Sequence, residues 1–150
     1  MDGAGPGAPD MSMTVSAQNP DSTQSPVTEA PAVVIVIPTY NEAENLPVLI
    51  SALREQKIDG LGIIVVDDGS PDGTGLIADR LAGEYPGYFK VIHRPRKLGL
   101  GPAYIAGFEV ALQTSAFGVI EMDADMSHPV ADVPTLIAGL EDHDVIVGSR

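Results

Sequence analysis

Three carboxylates lie within five positions near the end of the sequence. Glu121, Asp123 and Asp125 follow an apolar run, and no lysine or arginine occurs at residues 98–149. Carboxylates this close together resist joint ionisation unless a cation lies between them. Oxygen ligands suit Mg²⁺ or Mn²⁺, which retain waters and bind substrate phosphates. The spacing of Asp123 and Asp125 therefore favours an Asp-x-Asp site for a divalent cation and a diphosphate, and the alternative is a solvated turn with a helix cap.

Two further polar segments follow apolar runs and carry groups that could contact a nucleotide. In "VIPTYNE", Tyr40 can pack against a nucleobase or sugar, and Glu42 can accept a hydrogen bond from a hydroxyl. In "VVDDGSPDG", Asp67 and Asp68 supply acceptors for a base N–H or a ribose hydroxyl. The alternatives are stabilisation of a helix dipole by Glu42 and a tight turn with aspartate caps in the second segment.

The basic residues Arg94, Arg96 and Lys97 stand just before a glycine-rich segment at 99–107. The glycines are expected to open a helix whose first N–H groups could hold an anion. We interpret the cluster as a phosphate contact, with a solvated basic loop as the alternative. His128, close to the Asp-x-Asp residues, could contact a phosphate or an acceptor, or could be an ordinary loop residue.

Apolar periodicity predicts the elements that must position these motifs. Strands are predicted at 32–37, 61–66, 87–93, 116–122 and 144–150, and helices after Asn41 and at 74–84, 99–115 and 130–141. Asn41 is expected to cap the first helix. The alternating order implies an α/β fold, with a mostly parallel sheet and helices on both faces. Because ligands bind at the carboxyl ends of such strands, the three polar segments should converge on one crevice.

Composition excludes several classes of function. The net charge of −13 argues against a nucleic-acid binder, which needs a basic face. The absence of cysteine excludes disulfides, thiolate metal sites and a cysteine nucleophile. Apolar runs are far shorter than the ~20 residues of a membrane helix, and no secretory signal is visible, so a soluble cytoplasmic domain is expected. Residues 1–31, rich in Pro, Gly and Ser, predict a disordered tail before a domain at 32–150.

Five segments together resemble the family 2 glycosyltransferases. They read "VIPTYNEAENLP", "VVDDGSPDGT", "KLGLGPAYIAGF", "MDADMSHP" and "VGSR". Within this family they are similar to the dolichol- or polyprenol-phosphate mannosyltransferases, and the resemblance covers residues 33–150. It implies a GT-A (Rossmann-like) fold, in which a nucleotide-binding α/β half precedes an acceptor-binding half. It also implies inverting transfer of mannose from GDP-mannose to a polyprenyl or dolichyl monophosphate.

The resemblance also implies roles for individual residues. The nucleotide sugar would be bound by Pro38, Tyr40, Glu42, Val66, Asp68, Asp123, Ala124, Asp125 and Arg150. Asp123 and Asp125 would be catalytic, and Asp125 and Ser127 would hold Mg²⁺ or Mn²⁺. Some family members have glutamine at the position of Ser127, and the shorter serine could act through water.

Family members continue beyond the position of Arg150, so we expect the acceptor half to lie outside this sequence. Because the acceptor is a lipid, we expect the protein to work at the cytoplasmic face of a membrane, through residues not in this chain or a membrane-protein partner. Three alternatives stay open: a glucosyl or other sugar transferase of the family, a non-catalytic nucleotide-binding fragment, and a sugar-1-phosphate nucleotidyltransferase. The last should carry a glycine-rich, arginine-bearing loop after its first strand, where this chain has "PTYNE".

Overall fold

A computed structural model of the protein describes residues 30–148. The strands are β1 (Val33–Thr39), β2 (Leu61–Asp67), β3 (Phe89–His93) and β4 (Gly118–Glu121). The helices are α1 (Asn45–Glu55), α2 (Thr74–Glu84), α3 (Leu100–Ala111) and α4 (Val133–Gly139), the last preceded by a 3₁₀ turn at Val130–Asp132. All strand pairs are parallel, in the order β3-β2-β1-β4. The predictions for residues 1–29 and 149–150 lie outside the described residues.

Strand β1 lies in the middle of the sheet because its side chains are apolar on both faces. Its residues Val33–Ile37 are all buried, and Ile35 pairs in register with Ile63 of β2 and Ile120 of β4. Successive side chains point to opposite faces of a strand. Ile35 therefore packs in the core formed with α1, α2 and α4, whereas Val36 packs in the core formed with α3. Helices cover both faces, as the sequence predicts.

Helix α3 approaches β1 closely at Gly107, where a Cβ atom would collide with the side chain of Val36. Glycine within a helix is unfavourable by about 0.5–1 kcal/mol relative to alanine, but here it allows helix and strand to touch. The contact fixes the position of α3, whose first residue, Leu100, lies at the carboxyl ends of the strands. Among residues 30–148, no helix has the length and apolar character needed to cross a membrane.

The predicted cap of the first helix was wrong. Asn41 has a left-handed backbone with φ of 57°, and α1 begins four residues later, with Glu44 at its N-cap position. No side-chain hydrogen bond caps α1, and no acidic residue lies in its first turn. The reason is tertiary, because the Asn41 N–H donates to Ser70 Oγ in the loop after β2 at 3.0 Å.

The fifth strand predicted at 144–150 does not form over residues 144–148, where the structure describes it. Val145 and Val147 are 78% and 80% exposed. A short apolar run such as this one becomes a strand only where a partner supplies a ladder and a face is buried. Within the described residues no strand pairs with this segment, and Ile146 alone of its three apolar side chains is half-buried, so the prediction was wrong for residues 144–148.

Candidate functional site

A cavity of about 270 Å³ opens at the carboxyl ends of β1, β2 and β4. Seven of the nine residues predicted to bind a nucleotide sugar lie in its wall: Pro38, Tyr40, Glu42, Asp68, Asp123, Ala124 and Asp125. The rest of the lining comes from Thr39, Lys97, Gly99, Leu100 and Ala103. The parallel topology thus brings the three polar segments into one crevice. A larger cleft of about 570 Å³ lies at the amino ends of the strands, around Gly60 and Tyr85, away from these motifs.

Two of the nine predicted residues are not in this wall. Val66 is fully buried in the core beneath α3. Its carbonyl oxygen lies 3.4 Å from the hydroxyl oxygen of Thr39, so Val66 contacts the cavity wall through its backbone. Arg150 lies outside the described residues.

Asp123 is held from two sides. Tyr104, on α3, donates its hydroxyl to Asp123 Oδ1 at 2.9 Å. The Asp123 backbone N–H donates to His128 Nδ1 at 3.2 Å, which requires that this ring nitrogen carry no proton. Burial, together with the hydrogen bond to Asp123, raises the pKa of Tyr104 far above its ordinary value of 10, so its hydroxyl stays a donor at neutral pH.

These contacts assign structural roles to both partners of Asp123. His128 closes the turn, which favours the loop interpretation of this residue. Tyr104 was not singled out from the sequence, because one tyrosine in an apolar helix carries no distinguishing pattern. Its proximity to Asp123 depends on where α3 packs.

Asp125 and Ser127 form the exposed part of the same turn. The Ser127 N–H donates to Asp125 Oδ1 at 3.0 Å, and Met126 between them has φ of 65°. Hydrogen bonds from Ser127 hold the pKa of the Asp125 carboxyl below its ordinary value of 3.8, so it is ionised at neutral pH. The chain turns here instead of continuing extended, yet Asp123 and Asp125 both line the cavity.

The oxygen donors of this turn fit a hard divalent cation. Within residues 30–148, no group of three His, Cys, Asp or Glu side chains could hold a metal ion. Mg²⁺ is commonly held by one or two carboxylates, with waters and substrate phosphates completing its coordination. Asp125 and Ser127 therefore fit the protein's share of a cation site that a diphosphate completes.

The adjacent aspartates Asp67 and Asp68 at the start of "DDGSPDG" have different roles. Asp67 is buried, and it accepts hydrogen bonds from the hydroxyls of Thr39 at 2.9 Å and Ser70 at 2.6 Å. Asp68 is also buried, but it lines the cavity and lies 3.2 Å from the guanidinium of Arg94. The sequence suggested both carboxylates as ligand acceptors, whereas the structure turns only Asp68 toward the cavity.

The basic cluster is divided in the same way. Arg94 is turned inward to neutralise Asp68, with a side chain only 10% exposed. Lys97 lines the cavity, and its Nζ lies 4.5 Å from the ring centroid of Tyr40, within cation–π range. Arg96 is exposed and lies outside the lining. Of the three, Lys97 keeps the position expected for a phosphate contact, beside the start of α3, where helix N–H groups carry partial positive charge.

The family model described as glycosyl transferase family 2 matches residues 34–150 of the chain. The chain belongs to glycosyltransferase family 2. The resemblance read from the motifs is thereby confirmed at the level of the family.

Curated relatives of this family 2 chain include three phosphoprenol mannosyltransferases. It is 42% identical to the polyprenol monophosphomannose synthase of Mycolicibacterium smegmatis, over 85% of this chain and 49% of that protein. It is 46% identical to the undecaprenyl-phosphate mannosyltransferase of Micrococcus luteus, over 79% and 48%. It is 43% identical to the dolichol-phosphate mannosyltransferase of Pyrococcus furiosus, over 79% and 33%. The chain therefore spans a third to a half of the length of these relatives.

Solved structures with a similar fold are also glycosyltransferases. A mannosyltransferase from Pyrobaculum calidifontis, in complex with GDP-mannose and Mn²⁺, matches with a TM-score of 0.66 and 28% identity, over 79% of this chain and 34% of that one. A glucosyl-3-phosphoglycerate synthase from Mycobacterium tuberculosis, in complex with Mn²⁺ and UDP, matches with a TM-score of 0.56 and 26% identity, over 76% and 41%. The parallel sheet of this family 2 chain is GT-A-like, as the resemblance implied.

Proposed function

We propose that the chain is the nucleotide-sugar-binding part of an enzyme that transfers mannose from GDP-mannose to a polyprenyl or dolichyl monophosphate. One observation carries the proposal: three polar segments from three strands meet in one cavity, in a chain whose relatives are named for this reaction. The polyprenyl-phosphate acceptor would be bound by residues outside this chain. The protein would act peripherally at the cytoplasmic face of a membrane, through such residues or a membrane-protein partner.

The seven cavity residues predicted to bind the nucleotide sugar, together with Lys97, have chemical roles in this proposal. Tyr40 and Asp68 would contact the nucleoside, with Pro38 and Glu42 completing that wall of the cavity. Asp123, Ala124 and Asp125 would meet the ribose and the diphosphate. These contacts orient the anomeric carbon toward the acceptor. Lys97 and the start of α3 would offset phosphate charge from the other side of the cavity.

The proposed reaction is an inverting displacement. An oxygen of the acceptor monophosphate attacks the anomeric carbon, the bond to the diphosphate oxygen breaks, and GDP leaves with the electron pair. A phosphate monoester has a second pKa near ~6, so the attacking oxygen is already largely anionic at pH 7. Mg²⁺ or Mn²⁺, held by Asp125 and Ser127, would neutralise charge on the departing diphosphate. Asp123, held by Tyr104, keeps one carboxylate fixed beside that charge.

Calorimetry of GDP binding, with Mn²⁺ or with EDTA, tests the nucleotide and cation assignments. We expect Mn²⁺ to tighten GDP binding by about tenfold or more, since a charge-assisted contact is worth roughly 1.5–3 kcal/mol. Asp125→Asn should remove that enhancement, because it removes the charge that faces the cation. Asp142→Asn, an exposed aspartate in the turn after α4, is the matched control and should keep it. Equal GDP affinity in Mn²⁺ and in EDTA would refute the cation assignment.

Transfer of another sugar from a different nucleotide is the second candidate. It is favoured by the similarity to a glucosyl-3-phosphoglycerate synthase solved with UDP. Parallel titrations with UDP separate the two candidates, and tighter binding of UDP than of GDP would overturn the mannose assignment. Radiolabelled transfer from GDP-mannose to polyprenyl phosphate, measured in the protein that contains this chain together with an acceptor-binding half, then tests the reaction itself.

A further inference from the structure

The loop after β1 is held by side chains of the loop after β2. Three consecutive backbone N–H groups of the first loop donate to side-chain oxygens of Ser70 and Asp72 in the second loop and of Thr74 at the start of α2. The Asn41 N–H donates to Ser70 Oγ at 3.0 Å, the Glu42 N–H to Thr74 Oγ1 at 3.0 Å, and the Ala43 N–H to Asp72 Oδ2 at 3.1 Å. These donors precede α1, which begins at Asn45. The hydrogen bond from Glu42 is partly buried and the other two are exposed, and all three acceptors lie outside the loop after β1.

The acceptor side chains are themselves fixed. Ser70 donates its hydroxyl to Asp67 Oδ1 at 2.6 Å, and its N–H donates to Asp67 Oδ2 at 3.1 Å. Asp67 is buried at the end of β2 and also binds the Thr39 hydroxyl. The acceptor for Asn41 is therefore anchored to the sheet.

The second anchor is the start of α2. Thr74 is completely buried, and its hydroxyl and N–H both donate to Asp72 Oδ1, the N–H at 3.0 Å. The hydrogen bond from the Thr74 side chain lowers the pKa of Asp72 below its ordinary value of 3.8, which keeps this carboxylate an ionised acceptor. Neither Asp72 nor Ser70 lines the cavity.

Asn41 has a left-handed backbone, with φ of 57°. This conformation carries some strain in a non-glycine residue, although asparagine tolerates it better than most. The conformation leaves Tyr40 and Glu42 in the cavity wall. Three hydrogen bonds from outside the loop supply the compensation.

We propose that Ser70, Asp72 and Thr74 are positioning residues, which hold the loop after β1 so that Tyr40 and Glu42 are ready for the nucleotide. This inference rests on the proposed function, since it assumes that these two residues contact the ligand. It gives "DDGSPDGT" a divided role: Asp68 faces the ligand, and the other polar side chains order the neighbouring loop. Ordering the loop before binding strengthens affinity, because the entropy of ordering is not lost on binding.

The double variant Ser70→Ala/Asp72→Ala tests the proposal and spares the buried Thr74. Both changed residues are partly or fully exposed, so the fold should survive. We expect GDP affinity in Mn²⁺ to fall on the order of tenfold. The reason is the loss of two hydrogen bonds, each of which shifts the equilibrium between the ordered and the disordered loop several-fold. Amide hydrogen exchange at Asn41 and Ala43 should accelerate to a similar degree, with exchange in β1 unchanged.

Matched variants distinguish a positioning role from a general loss of folded structure. Asp59→Ala, an exposed aspartate at the opposite ends of the strands, should leave both GDP affinity and exchange unchanged. Ser70→Thr keeps the hydroxyl and should retain wild-type protection at Asn41, because the acceptor for its N–H remains.

Each result bears on one of the two proposals. If the wild-type chain binds GDP and the double variant binds it equally well, positioning is overturned while the proposed function stands. Accelerated exchange with unchanged affinity also overturns positioning, because loosening the loop would then have no effect on binding of the nucleotide. A wild-type chain that does not bind GDP refutes the proposed function, and the positioning role falls with it.

Discussion

Replacing Arg94 with methionine should destabilise the protein strongly. Arg94 Nη1 lies 3.2 Å from Asp68 Oδ1, and the two side chains are only 10% and 6% exposed. The two atoms form an ion pair, but their geometry is not that of a hydrogen bond. Neither atom has a hydrogen-bond partner within the described structure. Methionine preserves most of the aliphatic volume. The substitution therefore removes the positive charge and leaves a buried carboxylate whose remaining contact is a hydrogen bond from the Leu98 N–H to Asp68 Oδ2 at 3.4 Å.

The distance sets the size of the effect. At 3.2 Å, with an effective dielectric constant of 20, the attraction between unit charges is about 5 kcal/mol. Removing arginine also removes the cost of burying its charge, so the net loss is smaller than the attraction. Breaking a buried pair from one side typically costs about 3–5 kcal/mol. We expect a loss near ~3 kcal/mol in the free energy of unfolding, a large part of the 5–15 kcal/mol typical of a domain.

Urea denaturation followed by circular dichroism measures this loss. With a slope of about 1.5 kcal/mol per molar, the midpoint should fall by about 2 M. The double variant Arg94→Met/Asp68→Asn should regain much of the stability, because it removes the unpaired charge as well. A loss below about 1 kcal/mol for Arg94→Met, the value of an exposed pair, would refute the reasoning by showing that solvent already screens the charges.

Three further outcomes are expected. Gly107→Ala should cost about 1–3 kcal/mol of stability, because the added Cβ collides with Val36. Gly101→Ala, in the open part of the same helix, should instead gain up to about 1 kcal/mol. Denaturation curves of the two variants measure these changes, and equal effects would contradict the packing argument. Tyr104→Phe should weaken GDP binding in Mn²⁺ by roughly 1.5 kcal/mol, with little change in EDTA, as measured by calorimetry. An equal change in both buffers would contradict the inference that Tyr104 positions Asp123 for the cation. Because the pKa of Asp72 is depressed, its stabilising contacts are fully present above pH 3.8 and are lost as the pH falls below that value. An NMR titration of the backbone amides in the loop after β1 should show this loss. A titration midpoint at or above pH 3.8 would contradict the prediction.

Elements governed by local pattern were predicted well. Helix α2 spans 74–84, as the periodicity of the sequence predicts, and the strand predicted at 32–37 forms as β1, one of the two interior strands of the sheet. Failures occurred where a distant partner decides the local structure. Asn41 has the residue type of a helix cap, yet its N–H donates to Ser70, 29 positions away. The apolar run at 145–147 resembles a strand, but no strand of the described structure pairs with it.

The sequence by itself determined the family, the α/β architecture and the motifs that line one cavity. Parallel strands place their carboxyl ends at one edge, so polar segments after apolar runs must meet there. Only the tertiary structure decided what each polar residue does within those motifs. It assigned Asp67 to the fold and Asp68 to the cavity, turned Arg94 inward, and brought Tyr104 to Asp123. The physical reason is that hydrogen bonds and ion pairs depend on distances of about 3 Å between residues far apart in sequence, which the packing of helices on the sheet sets.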